Sequence, residues 1–322
     1  MDENRLETDF LGIKLDNPLF TGSGCFSFGL EYKDYFDPNE MGAIVLKGLT
    51  MEMRPGNSVP RISETPAGIL NSVGLENPGI DYFEEVTLPK IKKIIKVPIV
   101  ANINGKIVEE YVEIAKRIDN ISEIEMIELN ISCPNVKDGG MAFGANPEMT
   151  RIVTKEVRKV TKKPLMVKLS PNVTNIVEIA KIVEEEKADA ISMINTLLGM
   201  SIDINTKKPV LGNIYGALSG PAIKPIALRM IHQVSQAVSI PILGMGGIFN
   251  VEDAIEFFLA GASVISIGTA FFSDPLIALE IKNGLKKYCK DNNLNNISQI
   301  VGYAHNDDGV SYRNRMEGIK LW

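Results

Sequence analysis

Residues 241–270 read PILGMGGIFNVEDAIEFFLAGASVISIGTA. Two short apolar runs, PILGMGG at 241–247 and VISIGTA at 264–270, flank a segment with helical periodicity at 251–259. A Gly-Gly turn leads into that segment, and Asn250 stands where an N-cap belongs. Neither run alternates strictly between apolar and polar residues. Near-continuous apolar runs are what strands buried on both faces of a parallel sheet look like. The stretch therefore reads as strand–helix–strand.

The same unit recurs along the chain. Six further runs are PLFTGSG at 18–24, AIVLKGL at 43–49, PIVANIN at 98–104, MIELNIS at 126–132, PLMVKLS at 164–170 and AISMINT at 190–196. Pro opens several of them, which is tolerated because the first residue of a strand need not donate to the ladder. Between them, Ile107, Tyr111, Ile114, Ala115 and Ile118 fall on one helical face, as do Ile176, Ile179, Ala180 and Val183. Eight strands alternating with helices predict an α/β fold, a closed (β/α)8 TIM barrel with inserted loops over the C-terminal face of its strands. An open doubly wound sheet is the alternative. The barrel is expected to span 1–306 as a single domain, with 307–322 as a C-terminal tail. Two connections are long, 50–97 and 197–240, and long loops in a compact domain are usually functional. The segment 134–147, which carries Gly139, Gly140 and Gly144, reads as a mobile lid.

Composition narrows the function. Of 322 residues, 45% are hydrophobic and 23% charged, and 34 basic against 40 acidic residues give a net charge of -6. That sign argues against a generic nucleic-acid binder and requires any anionic substrate to find a locally positive pocket. The first residues are acidic and polar, and no apolar run approaches the ~18 residues of a membrane span. Cys25, Cys133 and Cys289 are widely separated, which predicts a reducing, cytoplasmic setting without disulfides. With two His, no C-x-x-C and no H-E-x-x-H, no metal or iron–sulfur site is expected on this chain.

In a (β/α)8 barrel the active site lies at the C-terminal ends of the strands. The eight runs end on Ser23 and Gly24, Lys47, Asn102 and Asn104, Asn130 with Ser132 and Cys133, Lys168 and Ser170, Asn195 and Thr196, Gly246 and Gly247, and Gly268 and Thr269. Apolar strands that all finish in hydrogen-bonding groups describe a polar site on an apolar barrel. The glycines after the seventh and eighth runs precede helices. They either make tight turns or, as we favour, let backbone N–H groups approach a phosphate. Lys47 and Lys168 interrupt apolar runs, where an unpaired ammonium is costly. Three readings stay open for them: a rim position or a pair with Glu128, an anion or electron-rich ring, or a Schiff base. Cys133 is either an inert buried thiol or a reactive one, and its place in the ring of polar ends favours the second. Cys25 also follows a strand end and is the comparison. Cys289 lies late in a helix and is expected to be structural.

These residues bear a resemblance. The chain resembles the class 1 dihydroorotate dehydrogenases over roughly residues 6–305, through Lys47-Gly48, NSVGL at 71–75, ELNISCPN at 128–135, VKLSP at 167–171, INT at 194–196, LSGPAIKP at 218–225, Gly244–Gly247 and Gly268-Thr269. The lid sequence NVKDGGMAFG at 135–144 is closer to the NAD-linked B subtype than to the fumarate-linked A subtype. The class 2 enzymes have an N-terminal extension and a serine where this chain has Cys133. The resemblance implies an FMN enzyme of pyrimidine synthesis that oxidises (S)-dihydroorotate to orotate, with Cys133 taking the C5 proton while hydride passes from C6 to flavin N5. It implies that Ser23, Lys47, Gly48, Asn102, Asn130, Lys168, Ile194, Gly220, Gly246, Gly247, Gly268 and Thr269 line FMN. It further implies that Lys47, Asn71, Ser72, Val73, Gly74, Leu75, Asn130, Asn195 and Thr196 hold the substrate. The B subtype implies a heterotetramer of two catalytic and two electron-transfer subunits, the latter carrying FAD and a [2Fe-2S] cluster and passing electrons to NAD+. The alternatives are a fumarate-linked dihydroorotate dehydrogenase, another FMN barrel acting on a related pyrimidine or a tRNA uridine, a non-redox aldolase or isomerase using Lys168, and a non-catalytic scaffold.

Overall fold

A computed structural model of the protein describes residues 4–132 and 141–305. All eight apolar runs form strands of one parallel sheet: Leu19–Thr21, Ile44–Val45, Ile99–Ile103, Met126–Asn130, Leu165–Lys168, Ala190–Met193, Ile242–Met245 and Val264–Ile267. From the second to the eighth they pair in chain order, and the eighth pairs with the first, Ile265 opposite Leu19. The first and second strands meet through a parallel bridge between Phe20 and Ala43. The Thr21 hydroxyl accepts from the Val45 N–H at 2.9 Å. The sheet thus closes, and the open doubly wound alternative falls.

The opening prolines sit where their chemistry allows. Pro18, Pro98, Pro164 and Pro241 have no N–H to give, but their carbonyls accept from Ile265, Ile44, Ile127 and Ile191 of the neighbouring strands. Each strand is shorter than its run, although Asn102, Asn130 and Lys168 still lie within theirs. Past the second strand one isolated parallel bridge joins Leu49 to Ile103, with Leu49 N–H donating to the Asn102 carbonyl and Asn104 N–H to the Leu49 carbonyl, each at 2.8 Å.

Two apolar layers hold the barrel. Inside it, Phe20, Val45, Val100, Met126, Met166, Ala190, Leu243 and Val264 fill the floor. An N-terminal hairpin, Thr8–Phe10 with Ile13–Leu15, closes the bottom, and Phe10 meets Phe20 edge to face at 5.7 Å. Outside it, the alternate strand residues pack on the helices. Val108–Asp119 buries Tyr111, Ile114, Ala115 and Ile118, and Ile176–Glu185 buries Ile176, Ile179, Ala180 and Val183. Ile107, expected on the first of these faces, is instead the N-cap residue and is exposed, since the helix begins one residue later. Val251–Ala260 begins at Asn250, whose side chain accepts from the Asp253 N–H at 2.8 Å.

The two long connections meet. Ile62–Thr65 and Gly68–Asn71 from one, and Leu197–Met200 and Tyr215–Ser219 from the other, form one four-stranded antiparallel sheet. Ala217 lies opposite Asn71 at its centre. Among the described residues no helix is long and apolar enough to cross a membrane.

Candidate active site

Side chains alternate along a strand, so register decides which ones enter the barrel. Val100, Met126, Met166 and Val264 belong to the apolar floor. Two residues further on, the same face carries Asn102, Glu128, Lys168 and Ser266, and Asn130 follows above Glu128. Asn102 is opposite Glu128, and Asn130 is opposite Lys168. A polar layer therefore lies directly on an apolar one. Glu128 is fully buried and Lys168 nearly so, with Lys168 Nζ 3.8 Å from Glu128 Oε2. Lys168 both pairs with Glu128 and lines the cleft above, so the pair is compatible with an anion or electron-rich ring beside it. A buried lysine with a carboxylate beside it stays charged at much lower cost than one alone.

Above this layer opens a cleft of about 1310 Å³, including the solvent at its mouth. It gathers Ser23, Lys47, Gly48, Asn102, Asn130, Lys168, Ile194, Gly220, Gly246, Gly247, Gly268 and Thr269. Asn71, Val73, Gly74, Leu75, Asn195 and Thr196 join them. Ser72 does not line the cleft. It is fully buried behind the wall, its N–H bonded to the Arg61 carbonyl at 2.7 Å. Cys133 and the first half of the lid, 134–140, lie outside the described residues, as does the tail 307–322. The chain leads to Cys133 from Ser132, whose hydroxyl and carbonyl both accept from Asn195 Nδ2, at 2.8 and 3.1 Å.

The glycines after the seventh and eighth strands form a cradle. Gly247 has φ +89°, and a Cβ there would come within 2.8 Å of Lys224 Cβ and 2.9 Å of the Gly220 carbonyl. Gly220 has φ +102°, and its Cβ would come 2.7 Å from Gly68 Cα. Positive φ and the close approach of the protein's own backbone and Lys224 both require glycine at these two positions. Thr269 opens the short helix Ala270–Ser273 directly. Gly247 stands further from the helix Val251–Ala260, whose first turn is already capped by Asn250.

Cys25 also lines the cleft, hydrogen-bonded to Thr269. Burial raises its thiol to about 11, outweighing the lowering influence of Lys168, Lys47 and Thr269. The sequence reading missed the apolar lining from Ile62, Ile69, Phe249 and Phe272. Ile62 and Ile69 reach the cleft through a sheet made of two distant segments, which no local pattern announces. Ser266 was missed as well, although it is the one polar residue inside VISIG.

The family model described as Dihydroorotate dehydrogenase matches residues 5–289. A protein of Brachyspira hyodysenteriae (strain ATCC 49526 / WA1), described as Dihydroorotate dehydrogenase B (NAD(+)), catalytic subunit, is 55% identical over 94% of this chain and 99% of its own. Proteins of the same description from Anoxybacillus flavithermus and Desulforamulus reducens are 52% and 54% identical, over 96% and 91% of this chain and 99% and 96% of their own.

Proposed function

The chain belongs to the dihydroorotate dehydrogenase family, and from that premise we propose that it oxidises (S)-dihydroorotate to orotate with FMN, as the catalytic subunit of an NAD-linked assembly. The observation that carries this reading is the convergence of Lys47, Asn71, Asn130, Lys168 and Asn195 on one cleft beside a bare-backbone cradle. A phosphate needs the cradle, and a planar diamide with a carboxylate needs the amides and lysines.

The cradle and the polar layer fit FMN. Gly220, Gly246, Gly247, Gly268 and Thr269 would take the phosphate end, while Ser23, Gly48, Asn102, Ile194 and Lys168 would face the ring system. When bound, FMN supplies the two-electron acceptor for the hydride that leaves C6 of the substrate. The chain's own groups do the rest. Asn71, Asn130, Asn195 and Thr196 offer donors and acceptors to the two amide edges, with Val73, Gly74 and Leu75 closing the wall beside them. Lys47 offsets the substrate carboxylate, and Lys168 offsets negative charge gathered on the ring. Cys133 takes the C5 proton. Ser132, next to it in sequence, accepts from Asn195 of the substrate clamp.

A site built on hydrogen bonds loses heavily when one partner is removed. Asn71→Ala, Asn130→Ala and Asn195→Ala are each expected to weaken orotate binding by about 1–3 kcal/mol, read by titration against the bound-flavin spectrum. Unchanged titrations in all three would remove them from the clamp.

The electron-transfer partner, with FAD and [2Fe-2S], and the two-plus-two assembly belong to this reading through the relatives' description as catalytic subunits. Dihydroorotate is expected to bleach the flavin of the isolated chain, and NAD+ alone to reoxidise it poorly. NAD+ with the partner should restore turnover. Rapid NAD+ reduction by the chain alone, or reoxidation by fumarate in its place, would overturn the NAD-linked assignment. Absence of any flavin band would overturn the reading as a whole.

A further inference from the structure

Lys47 and Lys168 line the cleft, and among the described residues no Asp or Glu does. Two carboxylates are buried in the described chain. One of them, Asp253, belongs to the outer helices, where it pairs with Lys224 at 2.6 Å. The other, Glu128, lies in the polar layer beneath the cleft and is fully buried. Its Oε2 accepts from Asn102 Nδ2, and its Oε1 has no hydrogen-bond partner among the described residues. The Lys168 ammonium, 3.8 Å from Oε2, makes this ion pair and no hydrogen bond among the described residues.

Filling that position does not require a charge. Met126, two residues earlier on the same strand and the same face, fills the layer below. A buried ion pair is often no more stable than apolar side chains of the same volume. The reason for the carboxylate therefore lies in the cleft rather than in the core. Charges interact strongly where water is excluded, and a negative charge under a lysine weakens the positive field which that lysine sets up above it. A flavin that takes up two electrons gathers negative charge on its ring, so nearby positive charge favours the reduced form and nearby negative charge opposes it. Lys168 alone would make a bound flavin a strong acceptor of electrons and a poor donor.

Resting on the FMN and NAD-linked reading above, we propose that Glu128 sets the reduction potential of the bound flavin. It does not line the cleft and acts through its charge. It keeps the Lys168 ammonium in place and offsets part of its field. The flavin then accepts hydride from the substrate yet stays reducing enough to pass electrons on to an acceptor of low potential such as NAD+.

The test reduces the FMN-loaded protein stepwise with dithionite beside a reference dye of known potential, reading the flavin and dye bands together. Glu128→Gln keeps the shape and an oxygen for Asn102 but removes the charge. It is expected to raise the ratio of reduced to oxidised flavin about tenfold at a given potential, about 30 mV for a two-electron couple. Glu128→Asp keeps the charge on a shorter side chain and is expected to stay within about threefold of wild type. A role in packing or in holding Asn102 predicts the reverse, with Glu128→Asp shifted and Glu128→Gln unchanged. Glu128→Gln unshifted, or Glu128→Asp shifted as far as Glu128→Gln, would overturn the proposal.

Sulfite gives a second measurement on the same samples. Its lone pair adds to flavin N5 and leaves the ring negative, so Glu128→Gln should bind it about tenfold more tightly than wild type, read by bleaching of the flavin band. Equal sulfite affinity would refute the effect of the charge. Loss of FMN from Glu128→Gln would refute it too, because removing the carboxylate leaves more positive charge beneath an anionic cofactor. A wild-type protein without a flavin band would instead refute the underlying function, which keeps the two failures apart.

Discussion

Cys133→Ala is expected to slow flavin reduction by dihydroorotate about 10²–10⁴-fold, the usual contribution of a positioned base, while FMN and orotate bind nearly as in wild type. The rate should rise with pH through the pKa of one group, because the base works only when deprotonated. Cys133→Ser should keep some activity with that profile displaced upward, since a hydroxyl is harder to ionise. Cys25 supplies the comparison within the same cleft. Its thiol is raised to about 11, so roughly 10⁻⁴ of it is ionised at neutral pH. Cys25→Ala should therefore keep the wild-type profile. The measurement is stopped-flow flavin bleaching against pH for the three variants. A wild-type rate in Cys133→Ala, or loss of the rate in Cys25→Ala, would take the role away from Cys133.

Lys168→Ala should have two separable effects. It leaves the Glu128 carboxylate fully buried without its counter-charge, and removing one partner of a buried pair typically costs about 3–5 kcal/mol. It also removes positive charge from the floor of the cleft, so FMN retention or flavin reduction should fail. Lys168→Ala with Glu128→Gln should recover much of the stability in urea denaturation, because no uncompensated charge remains. It should not recover flavin function. Normal FMN binding and reduction in Lys168→Ala would end its assignment to the cofactor. Equal stability of the single and double variants would show that the buried pair contributes nothing.

The barrel was legible because its signal is local. Continuous apolar runs opened by proline, helical faces such as Tyr111, Ile114 and Ile118, and the Asn250 cap each declare an element within a few residues. Strand ends inherit the site from the barrel's own geometry, so Lys47, Asn102, Asn130, Asn195, Gly246-Gly247 and Gly268-Thr269 could be named from position alone. Ser72 shows the limit. It sits between Asn71 and Val73, which both line the cleft, yet faces away from it. A motif names neighbours in sequence, and alternating side-chain direction sends every second one elsewhere.

What the amino-acid order determined by itself was the set of elements and the chemical types collected at their ends, since propensity, periodicity and capping act between residues close in the chain. What only tertiary structure decided was register and long-range pairing. Register set Glu128 beside Asn102 and under Lys168, turning a polar residue in an apolar run into a buried partner of both. Long-range pairing brought Asn71 opposite Ala217 and built one cleft wall from two loops that carry no local sign of each other. Both depend on which of several locally equivalent arrangements buries the most surface and leaves the fewest polar groups unpaired. That comparison is made over the whole closed barrel and is not written in any single stretch of it.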